Sequence, residues 1–94
     1  MKNTFAKGAA LVFGGSGGIG QVVAKSFGAA GADVAIVYRS KRDVAEAVAK
    51  DIAKHGRKAT THAADVRVAG QVKAAVHAVA EAHGGIHTVV WAAA

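Results

Sequence analysis

Residues 13–20 read Phe-Gly-Gly-Ser-Gly-Gly-Ile-Gly, a glycine-rich turn between two segments of opposite pattern. Before it, the run Ala9–Phe13 is apolar throughout, which is typical of a strand buried on both faces of a parallel sheet. After it, apolar residues recur at the spacing of one helix face, at Ile19, Val22, Val23 and Phe27. A strand, a glycine turn and a helix in this order predict backbone N–H groups that point at an anion.

The glycines of such a turn have three tasks, which are a tight turn, close approach of a phosphate, and close packing of helix on strand. The spacing fits G-x-G-x-x-G through Gly15, Gly17 and Gly20. It fits G-x-x-x-G-x-G through Gly14, Gly18 and Gly20 equally well, and both registers stay open. The alternative is a plain flexible loop, which the strand before and the helix after disfavour.

The alternation of strand and helix continues along the chain. Further strands are predicted at Val34–Tyr38, Ala59–Ala63 and Ile86–Trp91. Two further helices are predicted, one with Val44, Val48 and Ile52 on one face, ending at His55-Gly56, and one from Val68 to His83 with Val72, Val76 and Val79 inward. The order βαβαβαβ predicts an α/β fold, a single Rossmann-type half-domain over residues 1–94 with a parallel sheet of strand order 3-2-1-4.

The end of the second strand indicates which nucleotide the turn would hold. An NAD-selective site places Asp or Glu about twenty residues past the glycines, and here the residues are Tyr38, Arg39 and Ser40. Arg39 offers a planar cationic fork suited to a 2′-phosphate, and Ser40 offers a hydroxyl donor. Lys41 and Arg42 add positive charge, so NADP(H) is predicted in preference to NAD(H). The alternative is a solvated helix start.

Three motifs together resemble the short-chain dehydrogenase/reductase family, and the likeness covers essentially the whole chain. They are Gly14-x-x-x-Gly18-Ile19-Gly20 after a strand, Asp65-Val66 after the third strand, and the small residues after the fourth. The resemblance implies that Gly14, Ser16, Gly17, Gly18, Ile19 and Gly20 hold the diphosphate. It implies that Asp65 contacts the adenine amino group and that the backbone of Val66 contacts the ring. The alternative for Asp65 is an N-cap of the following helix.

The chain departs from the family pattern at several positions. The family usually ends its fourth strand in Asn-Asn-Ala-Gly, and residues 91–94 match it only at Ala93, which is therefore carried over as a cofactor-binding residue. Phe13 stands where the family often has Thr, and Gly17 stands where NADP(H) enzymes often have Arg or Lys.

No catalytic residue is predicted within the sequence. The catalytic Ser and the Tyr-x-x-x-Lys pair of the family lie on segments after the fourth strand, and this sequence holds neither. Tyr38 is the only tyrosine, and Arg42 follows it where the lysine would stand. The resemblance therefore implies the NADP(H)-binding portion of an oxidoreductase for carbonyl or alcohol substrates, which we expect not to be catalytic alone.

Composition excludes several other classes of protein. With no cysteine, the chain has neither disulfides nor thiolate zinc sites, and the cytoplasm is the default location. The five histidines form no i, i+4 helical pair, so no metal site is predicted.

Gly14-x-Ser16-x-Gly18 also matches G-x-S-x-G, the turn that carries the nucleophilic serine of some hydrolases. In those enzymes the turn follows several earlier strands of a larger fold, which disfavours this interpretation. The net charge of +6 suits an anionic partner. Nucleic acid is disfavoured as that partner, because the cations are scattered and only 5% of the residues are aromatic. No apolar run is long enough to cross a membrane.

A second hypothesis is a non-catalytic nucleotide-binding or interaction module. The fourth strand would leave the apolar run Val89-Val90-Trp91 at an open sheet edge, where it could pair with another chain or a second copy. A parallel sheet needs helices on both faces, and only the third helix is expected to cover the second face. Self-association or marginal folding is therefore expected for these residues by themselves.

Overall fold

A computed structural model describes residues 5–15 and 17–92, and these form four strands and three helices. In chain order the elements are β1 (Ala9–Phe13), α1 (Gly18–Ala29), β2 (Asp33–Tyr38), α2 (Arg42–Lys54), β3 (Ala59–Ala63), α3 (Ala69–His83) and β4 (Ile86–Trp91). The strands form one parallel sheet in the order β3-β2-β1-β4. The predicted α/β class, element order and strand order are confirmed.

The register of the sheet brings the carboxyl ends of the strands to one edge. Phe13, the last residue of β1, pairs with Val37 of β2 and with Trp91 of β4. Tyr38 at the end of β2 pairs with Ala63 at the end of β3. The segments that follow the four strands therefore leave the sheet side by side, where open α/β sheets bind their ligands.

The apolar core has two layers, one on each face of the sheet, because successive strand residues point to opposite faces. Leu11 and Phe13 of β1 belong to the layer that α3 covers, together with Ala75 and Val79. On the opposite face lies the layer beneath α1 and α2, which contains Val12, Ala24, Val34, Ile36, Ala45, Val48 and Ile52. All of β1 is buried, which explains its uninterrupted apolar sequence.

Helix α1 packs through small residues and not through its large apolar ones. Its buried residues are Gly20, Ala24 and Gly28, whereas Ile19 and Val22 are 76% and 66% exposed. The prediction that Ile19 and Val22 share the packing face is therefore wrong, although Val23 and Phe27 are partly buried against the core. The reason is close approach, since a Cβ on Gly20 would lie 1.9 Å from the carbonyl oxygen of Gly14.

The start of α3 also differs slightly from the prediction. The helix begins at Ala69, and Val68 is the N-cap residue with an extended backbone (φ −110°, ψ 105°). Of the three residues predicted to face inward on this helix, Val79 is buried and Val72 is partly buried. The prediction is wrong for Val76, which is exposed. The buried face of α3 is thus narrower than the spacing of its valines suggests.

Two histidines meet between β3 and the end of α3. The Thr60 hydroxyl lies 2.8 Å from Nε2 of His62 and 2.7 Å from Nε2 of His83. A hydroxyl donates only one proton, so in the neutral state one ring nitrogen accepts from Thr60 and the other donates to it. Burial lowers the pKa of His62, and burial followed by the positive charge of Lys58 lowers the pKa of His83.

We predict that Gly20→Ala and Gly18→Ala have opposite consequences for stability. The first substitution drives a methyl group into the Gly14 backbone, and it should lower the free energy of unfolding by at least about 2 kcal/mol. The second meets no atom within 4 Å, and it should change the free energy by less than about 1 kcal/mol. Urea unfolding followed by far-UV circular dichroism measures both, and equal losses would contradict the packing described.

We predict that acid destabilises the fold through the histidine pair. The folded pKa of each histidine lies below its unfolded value, so the folded chain binds fewer protons. The stabilisation is complete above the unfolded pKa of about 6.5 and is lost as the pH falls from there towards the folded values. Unfolding measured between pH 7.5 and 5.5 should show this loss, and a His62→Gln/His83→Gln variant should show less of it. An identical pH slope in the double variant would refute the assignment.

Candidate functional site

The glycine turn is held in place by the end of β2. Gly14 has φ +83°, a left-handed conformation that strongly favours glycine. Its N–H donates to the Val37 carbonyl at 2.9 Å, and its own carbonyl accepts the Gly17 N–H at 3.0 Å. The chain therefore reverses tightly after Phe13 and enters α1 at Gly18.

The space around each glycine distinguishes the two registers left open by the spacing. Gly14 makes the tight turn, Gly20 packs helix against turn, and a Cβ on Gly18 would meet no atom within 4 Å. These three glycines occupy the glycine positions of the G-x-x-x-G-x-G register. Gly15, which belongs to the other register, packs beneath Ile36, since a Cβ added to Gly15 would lie 2.4 Å from the Ile36 Cγ2 atom. Gly15 therefore serves the packing of the turn.

The amino end of α1 presents its backbone to the carboxyl edge of the sheet. Gly17 is the N-cap residue and Gln21 donates its N–H to the Gly17 carbonyl at 2.8 Å. The N–H groups of Gly18, Ile19 and Gly20 precede the first intrahelical donor, and such groups have no acceptor within a helix. The described part of this first turn contains no acidic side chain. The partial positive charge of the helix end is thus not offset locally. Ser16, also predicted for this site, lies outside the described residues.

Residues 39–42 follow β2 and form a rim at the carboxyl edge of the sheet. This rim keeps only part of the positive charge that its sequence predicts. Arg39, Ser40 and Lys41 are exposed beyond the strand. Arg42 lies in the first turn of α2, where its Nε donates to Glu46 at 3.0 Å. The charge of Arg42 is therefore partly balanced along the helix. Tyr38 is half-buried and packs against the core layer beneath α1 and α2, so its position is structural.

Asp65 follows β3 and is held by a neighbour two residues on. Its carboxylate accepts the Arg67 backbone N–H at 2.9 Å, Nε at 3.0 Å and Nη2 at 2.8 Å. Its own N–H donates to the Gln71 side-chain oxygen at 2.8 Å. Asp65 does not cap α3, because Val68 occupies that position, so the N-cap alternative is wrong. The bond to the i+2 backbone N–H is a local Asx-type turn.

These contacts keep the Asp65 carboxylate ionised. Hydrogen bonds from the Arg67 side chain, and then from its backbone N–H, hold the pKa of Asp65 well below its usual range. The charge of Arg39 lowers the pKa of Asp65 further, so the loops after β2 and β3 interact electrostatically. Arg67 was not among the sequence-predicted site residues. The Asp-x-Arg spacing beside a strand end is the signal that could have indicated it.

Val66 and the segment at the end of β4 lie around the same edge. Val66 is partly buried and packs against the core layer beneath α3. The Ala92 N–H donates to the Phe13 carbonyl at 2.9 Å, so the chain after β4 runs beside the beginning of the glycine turn. The rings of Phe13 and Trp91 lie 4.8 Å apart there. Ala93 lies outside the described residues.

Across residues 5–15 and 17–92, no group of three or more His, Cys, Asp or Glu side chains could hold a metal ion. Within the same residues, no helix is both long and apolar enough to cross a membrane.

Known proteins resemble this chain over most of its length. The model of the short chain dehydrogenase family matches residues 8–94. General stress protein 39 of Bacillus subtilis is 35% identical over 81 residues, which span 86% of this chain and 28% of that protein.

Solved structures share the same fold. A short-chain dehydrogenase from Burkholderia cenocepacia, in complex with NADP, is 43% identical with a TM-score of 0.87 over 94% of this chain and 36% of its own. A blue fluorescent protein from a metagenomic library, in complex with NADPH, is 33% identical with a TM-score of 0.86 over 94% and 36%. The chain thus spans about a third of the length of these relatives. Because the family match extends over nearly all of its residues, the chain belongs to the short-chain dehydrogenase family.

Proposed function

We propose that residues 1–94 form one domain that binds NADP(H) as the cofactor-binding portion of a short-chain dehydrogenase/reductase. The observation that carries the proposal is the open backbone at Gly18, at the amino end of α1, between the tight turn at Gly14 and the close packing at Gly20. An anion can approach the backbone only where no side chain stands in the way. Structures of two relatives in complex with NADP and NADPH support the same ligand class.

The diphosphate would lie against the first turn of α1. The N–H groups of Gly18, Ile19 and Gly20 would donate to its oxygens, and the helix dipole would favour its negative charge. We assign the same contact region to Gly14, Ser16 and Gly17. This part of the site is common to NAD(H) and NADP(H), because both carry the diphosphate.

The 2′-phosphate would lie at the rim after β2. Arg39 provides two parallel N–H donors and Ser40 a hydroxyl, and both residues are exposed at the edge that the glycine turn faces. The first acidic residue after β2 is Asp43, on α2, so no carboxylate stands where an NAD-selective site would hold the ribose hydroxyls. This arrangement favours NADP(H).

The adenine would lie against the loop after β3. A carboxylate has about four lone-pair positions, and Arg67 occupies three of those of Asp65. The remaining one can accept from the adenine amino group, and the backbone of Val66 can contact the ring. The Arg67 and Gln71 contacts hold this loop in place without a ligand.

The nicotinamide end would lie beside the carboxyl end of β4, and we assign a contact with the cofactor to Ala93. NADP(H), when bound, supplies the acceptor or donor of a hydride. The residues of this chain bind and orient it, and the catalytic Ser and Tyr-x-x-x-Lys of the family are not among them. We therefore assign reduction or oxidation of a carbonyl or alcohol substrate to the longer family protein that such a domain serves.

A second candidate function rests on the exposed fourth strand. Val89 and Trp91 are 59% and 56% exposed. Among the described residues β4 pairs on one side only, with β1. A non-catalytic module that pairs with another chain or with itself along this edge would bury those side chains.

We predict that the chain binds NADP at least about tenfold more tightly than NAD, because the Arg39 fork pairs with the 2′-phosphate. Arg39→Asp should remove the preference for NADP, since it replaces the guanidinium with a carboxylate that repels the phosphate. Isothermal titration at matched ionic strength measures both affinities. Lys54→Ala, in the last turn of α2 at the opposite edge of the sheet, removes one charge and should leave the preference intact.

Equal affinities for the two nucleotides in the unsubstituted chain would contradict the role of Arg39. A folded chain that binds neither nucleotide would favour the interaction module, and its oligomeric state should then be measured by analytical ultracentrifugation.

We predict that Gly18→Val lowers the affinity for NADP and for NAD alike, by about tenfold or more, with little change in stability. The valine side chain would fill the open space at the helix end and block the approach of the diphosphate. Titration and urea unfolding of the same sample separate the two effects. Full affinity in this variant would exclude the diphosphate from the first turn of α1.

A further inference from the structure

We propose that Arg67 is a specificity-determining residue of the nucleotide site, because it neutralises the Asp65 carboxylate and so leaves Arg39 available to the 2′-phosphate. This inference rests on the proposed function and extends it. Arg67 itself would not contact the phosphate but would act through Asp65.

The first support is the geometry of the ion pair. Arg67 binds Asp65 through two side-chain nitrogens and its own backbone N–H, at 2.8–3.0 Å. The Arg67 side chain is 69% exposed, whereas the Asp65 side chain is only 22% exposed. The carboxylate is therefore mostly covered, whereas the guanidinium that binds it is largely open to solvent. Two parallel N–H donors on one carboxylate are the strongest form of this contact.

The second support is the proximity of Asp65 to the rim after β2. Tyr38 and Ala63 pair across the two strands, and the Ala64 N–H donates to the Tyr38 carbonyl at 2.9 Å. Arg39 and Asp65 come next in their respective loops. The charge of Arg39 adds to the effect of Arg67 in lowering the pKa of Asp65, in keeping with this proximity. Any phosphate held by Arg39 would therefore lie within reach of the same carboxylate.

The third support is the balance of charge at this edge. Arg42 pairs with Glu46 along α2, so it contributes less to the rim than its sequence position suggests. Without Arg67, Asp65 would be a bare carboxylate beside Arg39. That carboxylate would compete with the phosphate for Arg39 and would repel the phosphate directly. With Arg67 in place, the Asp65–Arg67 pair is neutral and Arg39 and Lys41 keep a net positive rim.

A purely structural role for Arg67 makes a different prediction. The Arg67 and Gln71 contacts also fix the loop that would hold the adenine. Loosening that loop would weaken NADP and NAD equally, since both carry the same adenine. The ratio of the two affinities therefore reports on the charge effect alone.

The experiment is a titration of NADP and NAD into the unsubstituted chain and into Arg67→Ala, Arg67→Ala/Asp65→Asn and Lys54→Ala. Arg67→Ala should lower the NADP-to-NAD affinity ratio by about tenfold, as expected for an uncompensated charge near the phosphate. Adding Asp65→Asn should restore the ratio, because it removes the carboxylate that Arg67 neutralises. Lys54→Ala, the charge-matched control, should leave the ratio unchanged.

Each alternative result has a definite meaning. An unchanged ratio in Arg67→Ala overturns the inference while leaving the proposed function intact. A ratio that falls in Arg67→Ala and is not restored by Asp65→Asn also overturns it, because Arg67 would then contact the phosphate itself. An unsubstituted chain that binds neither nucleotide overturns both the inference and the proposed function.

Discussion

The contact between Gly20 and the carbonyl of Gly14 is the constraint on which the rest of the site depends. Because no Cβ fits between them, α1 can begin immediately against the end of β1. That approach directs the amino end of the helix to the carboxyl edge of the sheet. The same turn is bonded to Val37 of β2, so the glycines and the rim after β2 are fixed relative to each other. A bulkier residue at position 20 would displace the helix from the turn and separate these two parts.

The charges at the edge are arranged more by pairing than by number. Arg42 and Arg67 each bind an acidic side chain, so two of the cations near the strand ends are locally balanced. Such exposed pairs contribute only about 0–1 kcal/mol to stability. Their main consequence is therefore local, since they determine which charges a ligand would meet. Arg39 is exposed after β2, the strand that lies between β1, which precedes the glycine turn, and β3, which precedes Asp65.

The central strands β1 and β2 were predictable because burial on both faces requires apolar runs. The edge strands β3 and β4 are only partly buried, but together with β1 they have the bounds that their sequences indicate. The packing face of α1 was not predictable, because periodicity counts large apolar side chains, whereas Gly20 and Gly28 pack by having none. The register of the glycines needed backbone angles and free space, which spacing does not report. Arg67 was missed because its bond to Asp65 depends on a loop conformation. The roles of the predicted site residues in binding stay predictions.

The two parts of the site should contribute differently to recognition. Backbone N–H groups at a helix end have fixed directions, so their binding of a diphosphate requires little reorganisation and is shared by both nucleotides. The rim consists of exposed side chains, where charges separated by more than about 8 Å are screened at physiological salt. Discrimination there must come from short-range contacts such as the Arg39 fork and from the charges immediately beside it. This is why the pairing of Asp65 with Arg67, in the loop next to Arg39, would matter more for discrimination than the overall charge of +6.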